Sequence, residues 1–210
     1  MNKKLNRGLA IIMPDKRINT FVLFIIILGI ISGSIFLVVL KEADKNIVID
    51  RINTFFSNIN TNNINNLVAF KNALIENIIF ILLIWILGMS IIGIIVNVFL
   101  IYLKGFIIGF SLSSFFLVYG YKGLLAGFIY AFPTSIIYIL ICLLLGVYSI
   151  LFTLNLFNLI FNKDRSLDMK RFIKKYVLIL IISLVLVLVS SLTEGFLVPS
   201  LLKVFIKLFI

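Results

Sequence analysis

Residues able to do acid–base or nucleophilic chemistry are few in this chain, and they are scattered. There is no histidine, which excludes a His-based general base, a Ser-His-Asp triad and an imidazole metal ligand. The single cysteine, Cys142, lies inside an apolar run and reads as a small buried hydrophobe; alone, it makes no internal disulfide. No Gly-rich loop ends in the Lys-Ser/Thr of a phosphate-binding loop. Of the eight acids, Glu76 and Glu194 stand at the edges of long apolar runs. Two carboxylates on one surface can serve as acid and base, but each also reads as a boundary residue facing headgroups or a neighbouring helix. Lys104 separates two apolar runs and is expected to anchor a short turn, with a charged pathway as the alternative. Asn97 is a polar group inside a run, suited to an interhelical hydrogen bond. No catalytic, cofactor-binding or metal-binding residue is expected, and the chain reads as non-enzymatic.

The elements that must position these groups are oily. Of the 210 residues, 62% are apolar and mean hydropathy is +1.24, well beyond the ~45–50% apolar content of a soluble domain. Residues 21–40, 78–103, 123–161 and 176–192 are nearly free of ionised side chains, and each is about the length, or more, that crosses a bilayer core as a helix, ~17–25 residues. The expectation is an all-α, polytopic membrane protein: one integral membrane domain with five transmembrane helices. These are placed at 18–40, 76–103, 105–119, 123–161 (kinked near Pro133) and 176–193. Gly120–Gly123 is a tight turn between the third and fourth. The first run follows a polar stretch and lacks a cleavage signature, so it reads as a retained span, not a signal peptide.

Two segments look interfacial. In 41–75, Val48, Ile52, Phe55, Phe56 and Ile59 fall on one helical face before an asparagine-rich tract. In the tail, 194–210, Lys203 and Lys207 lie one turn apart in an apolar stretch and are placed to snorkel. Small residues recur at four-residue spacing: Gly29 and Gly33; Gly105, Gly109 and Ser113; Gly123 and Gly127; Gly88 and Gly93 are further helix-packing candidates. Such stripes let backbones approach closely within lipid. Internal packing is the first reading, and a self-association face giving a homo-oligomer is the second.

The net charge of +11 reads as cationic loops against anionic lipid headgroups. No basic run interleaved with aromatics suggests nucleic acid. With the N-terminus inside, the inner segments (1–17, Lys104 and 162–175) hold five, one and six Lys/Arg, against four, one and two in the outer ones. That bias places the N-terminus in the cytoplasm and the C-terminus outside.

Several stretches together resemble the stage II sporulation protein M family. They are Trp85–Gly93, Leu103–Phe110, Gly127–Pro133, and Tyr176–Leu178 followed by Val189–Ser191, Glu194, Pro199 and Leu201–Leu202, in that order. The resemblance implies a five-span protein of the mother-cell septal and engulfing membrane in sporulating cells. It implies a scaffold that localises or activates sporulation proteins D and P, the enzymes that remodel septal peptidoglycan during engulfment. On that reading Glu76, Glu194, Lys203, Lys207 and the 41–71 segment form the docking surface. A transporter or permease subunit built on Pro133, Asn97 and Lys104 is the competing reading.

Overall fold

The computed structural model describes residues 15–61, 65–161 and 169–209. Most of the basic N-terminal segment, the middle of the asparagine tract and the first half of the 162–175 loop lie outside the described residues.

Every described element is helical: α1 (Lys16–Val39), α2 (Glu42–Asn60), α3 (Asn66–Gly88), α4 (Gly93–Ile141), α5 (Val147–Phe161), α6 (Met169–Leu192) and α7 (Val198–Phe209). Helix starts carry the caps their sequence offers. Asp15 accepts from the Arg17 and Ile18 amides, and Asn65 accepts from those of Leu67 and Val68, which satisfies orphan donors at each first turn. Four helical stretches are long and apolar enough to cross a membrane: Lys16–Val39, Asn66–Gly88, Gly93–Phe161 and Met169–Lys207.

The longest of these reverses on itself. Gly120 has φ 59° and ψ −136°, a conformation costly for any residue with a Cβ. Beyond it the chain runs back along its first limb, as the pairs Phe115 with Tyr130, Lys104 with Tyr138 and Asn97 with Ser149 show. α4 is therefore a hairpin, and the turn expected at Gly120–Gly123 is present. The expected turn at Lys104 is not. The chain breaks earlier, at Met89–Ile92, and Lys104 lies well inside the first limb. The apolar count on either side of Lys104 hid this, because one lysine inside a helix and one in a turn leave the same gap in hydropathy.

Two π turns interrupt the later helices, and the kink expected near Pro133 does not break the helix. The chain stays helical through Pro133, and its next departure from α geometry is a π turn at Cys142–Gly146. A second π turn, Thr193–Leu197, precedes Pro199, whose ring and missing N–H disturb the carbonyl four residues back. The helix does not end at Glu194–Gly195 as expected; it passes through this π turn into α7.

Two cores hold the bundle. The larger joins α1, α3, both limbs of α4, α5 and α6 around Ile81, Ile84, Ile101, Ile141 and Leu145, all wholly buried. The smaller sits at the Gly120 end. There Ile52, Phe56 and Ile59 of α2 and Val198, Leu202, Phe205 and Ile206 of α7 cover the hairpin tip at Phe115 and Ala126. The amphipathic face read from 48–59 is thus packed on protein. Outside the cores the surface is apolar: Phe24, Ile27, Ile31 and Ile35 of α1 and Ile95 and Phe99 of α4 are exposed. Such a surface is stable only against lipid.

Candidate functional site

The glycine stripes come first, because they set where the hairpin sits. α1 and the first limb of α4 run parallel, with Ile26 at Gly105, Ile30 at Gly109 and Gly33 at Phe110. A Cβ on Gly29 would stand 2.9 Å from the Phe106 nitrogen, and one on Gly109 would stand 2.7 Å from the Ile30 carbonyl carbon. Backbone meets backbone there, so only glycine fits. Ser32 bonds the Tyr102 hydroxyl at 2.7 Å, and Ser34 donates to the Gly109 carbonyl at 3.2 Å. Ser113 continues the stripe beside Ser34 and Leu37. A Cβ on Gly123 would clash with the Phe115 carbonyl across the hairpin, whereas one on Gly127 would meet only side-chain atoms of Leu112 and Phe115, tightly, at 3.3–3.4 Å. Gly88 faces the Ser149 and Tyr176 hydroxyls, and Gly93 faces the Leu87 carbonyl at the Met89–Ile92 turn.

With the hairpin so placed, one pocket gathers the charged groups. It encloses about 160 Å³, and its wall includes Glu76 and Asn77 of α3, Lys104 and Ser111 of the first limb, Tyr130, Thr134, Ser135 and Tyr138 of the second, and Glu194 of the π turn. Lys104 Nζ lies 3.8 Å from Glu76 Oε1, and between the rings of Tyr138 (4.4 Å) and Phe80 (4.9 Å). Two aromatic faces and a carboxylate thus replace the water an ammonium would lose. The Tyr138 hydroxyl stands 3.5 Å from Glu194 Oε2, and Asn77 Nδ2 points at Ser191 Oγ from the same distance. Exposure is uneven: the Lys104 side chain is 13% exposed and that of Glu76 74%.

Glu76 and Glu194, read as separate boundary residues, therefore line one cavity inside the bundle with Lys104 beside them. Lys203 and Lys207 lie elsewhere, on α7 over the hairpin tip. Sequence reading passed over Asn77, Thr134, Ser135 and Tyr138. A signal was present: Tyr130, Thr134 and Tyr138 recur every four residues, a polar stripe down an otherwise apolar run.

Toward the Gly88 end the bundle closes. Asn97 donates to the Ile84 carbonyl at 3.2 Å and to Ser149, while Ser149 also donates to Ile84 at 3.0 Å. Thr153 donates to Gly88 at 2.9 Å and Tyr176 to Trp85 at 2.8 Å. These bonds tie α3, α4, α5 and α6 through buried groups, Asn97, Ser149 and Thr153 among them. They satisfy the carbonyls left free as α3 ends.

The fold and site together define a helical bundle with lipid-compatible surfaces, a polar pocket partway along it and a bonded closure at one end. The chain belongs to the stage II sporulation protein M family, whose model matches residues 20–199. No curated protein and no solved structure matches it. Family membership and the apolar helices together support a sporulation-related membrane protein.

Proposed function

We propose that this chain is a non-enzymatic membrane scaffold of the sporulation engulfment complex. It localises or activates the peptidoglycan-remodelling sporulation proteins D and P at the septal and engulfing membrane. In this reading it makes five passes, α4 supplying two, with the Gly120 end outside. The inner segments then hold five and six Lys/Arg, against four, one and two outside, so the charge bias survives the move of Lys104 into the bundle.

The observation that carries the proposal is the second core. α2, the hairpin tip and α7 form a folded platform at one end of the bundle, beyond what the spans need for packing. Arg51, at the edge of the groove beneath α2, and Lys207 of α7 are both exposed on it. Enzymes that work on the wall need such a platform on the wall side. The pocket's charges give a transporter reading some footing. Against a path through the protein, the space between the pocket and the Gly88 end is filled by Ile81, Ile84, Ile101, Ile141 and Leu145.

The test is crosslinking in sporulating cells from photoreactive residues at Arg51 and Lys207. Capture of wall hydrolases is the expected result. Capture of an ATPase from cytoplasmic positions, with no hydrolase from the platform, would replace the scaffold with a permease subunit. Charge reversal at Glu194 in a stably expressed chain is expected to weaken septal capture of the D and P proteins.

A further inference from the structure

The charged pocket has an opening that the bundle does not cover. Glu76 is 74% exposed, and Ile107, across the gap on α4, is 51% exposed. The gap between α3 and the first limb of α4 therefore faces sideways, where lipid would be. Glu76 lies five residues past Lys71, ~7–8 Å further along the helix at ~1.5 Å per residue. That places a carboxylate below headgroup depth on a lipid-facing surface, a costly position that Lys104 at 3.8 Å, shared with Glu194, offsets in part.

Charge in the pocket is also unbalanced. Among the described residues lining it there are two carboxylates and one ammonium. Lys104 stands 3.8 Å from Glu76 and also acts on Glu194, so one ammonium serves two carboxylates, and the Tyr138 hydroxyl lies 3.5 Å from Glu194. Thr134 and Ser135, each more than nine-tenths buried, add hydroxyl oxygens to the wall. About 160 Å³ is room for a long side chain. An apolar groove of about 320 Å³ beneath α2 shares Ser111 and Tyr130 with the pocket, so the cleft continues toward the Gly120 end along α4.

We propose that this cleft receives a transmembrane helix of a partner protein, which inserts a Lys or Arg side chain beside Glu194 and Glu76. A basic residue at that depth is itself costly in lipid, so each side neutralises the other only when the helices meet. A lipid amine is held at headgroup level, above Glu76. A second copy of this chain does not supply the group, because the basic residues of its described spans other than Lys104 lie toward helix ends or at the hairpin tip. The proposal rests on the scaffold reading only in expecting a membrane-anchored partner.

The test uses the full chain, donor-labelled, in phosphatidylcholine vesicles. Acceptor-labelled synthetic helices of about twenty apolar residues carry either Lys or Leu a third of the way in. Energy transfer is expected to show the Lys helix associating at least tenfold more tightly than the Leu helix. Glu194→Gln and Glu76→Gln, verified by unchanged melting in detergent, are expected to remove most of that preference. Glu194→Lys is expected to prefer a helix carrying Glu. Equal association of Lys and Leu helices, or a Lys preference untouched by both Gln variants, would overturn the proposal. So would complete competition by phosphatidylethanolamine, which would make the site one for a lipid amine. Loss of the Lys preference alongside intact capture of hydrolases in cells would sink this pocket's role and leave the scaffold standing.

Discussion

Gly109→Ala tests whether close backbone approach holds α1 to the hairpin. The added Cβ would stand 2.7 Å from the Ile30 carbonyl carbon and 2.8 Å from its Cα, against an optimum of ~3.5–4.0 Å. Both obstacles are backbone, so no rotamer change relieves them. The helices must separate by about 1 Å, and such a gap forfeits roughly a quarter to a half of each nearby dispersion contact. Overpacking of this kind costs ~1–3 kcal/mol. Replacing a helical glycine by alanine returns ~1 kcal/mol of propensity, leaving a net loss of up to ~2 kcal/mol. Gly127→Ala carries the same propensity gain, but its Cβ would lie at 3.3–3.4 Å from side-chain atoms of Phe115 and Leu112. It should be neutral or stabilising by up to ~1 kcal/mol. Reversible unfolding of both variants in mixed micelles measures the difference, expected at ~2 kcal/mol. A Gly109→Ala loss within ~0.5 kcal/mol of the Gly127→Ala effect would show that the helices slide apart at little cost. The stripe would then not be what positions Lys104 under the pocket.

Three further outcomes follow from the same geometry. Gly120→Ala, at a position with open space around it but φ 59°, should lose ~1–3 kcal/mol from backbone strain alone, read in the same unfolding experiment; no loss would mean that the hairpin turns by another conformation. Asn97→Leu removes donors to the Ile84 carbonyl and Ser149 and should cost ~0.6–1.7 kcal/mol, with hydrogen exchange rising first around Ile84–Gly88. Gly88→Ala pushes a methyl against the Tyr176 hydroxyl that bonds Trp85; combined with Tyr176→Phe it should cost less than the two single losses together, because both act on one contact.

Much of this protein is legible in its sequence, because lipid imposes one-dimensional rules. Runs of apolar residues long enough to span, a glycine turn at 120 and the apolar face at 48–59 all depend on local order along the chain. The order of the motifs from Trp85 to Leu202 carried the family resemblance, and the family match over 20–199 agrees with it. What hydropathy misplaced was Lys104. It registers any interruption of an apolar run alike, and it put the chain reversal at the lysine when the turn lies at Met89–Ile92. The pocket was out of reach for a related reason. Glu76, Lys104, Tyr138 and Glu194 are far apart in sequence, and nothing local states which faces of α3, α4 and α6 will meet. That was decided by tertiary packing. Glycines 29, 33, 105 and 109 bring α1 onto the hairpin, and the Gly120 reversal folds its second limb back on the first. Sequence order sets how far each polar group lies along its helix; only the packed bundle sets the rotation of that helix, and so which charges share one low-dielectric space.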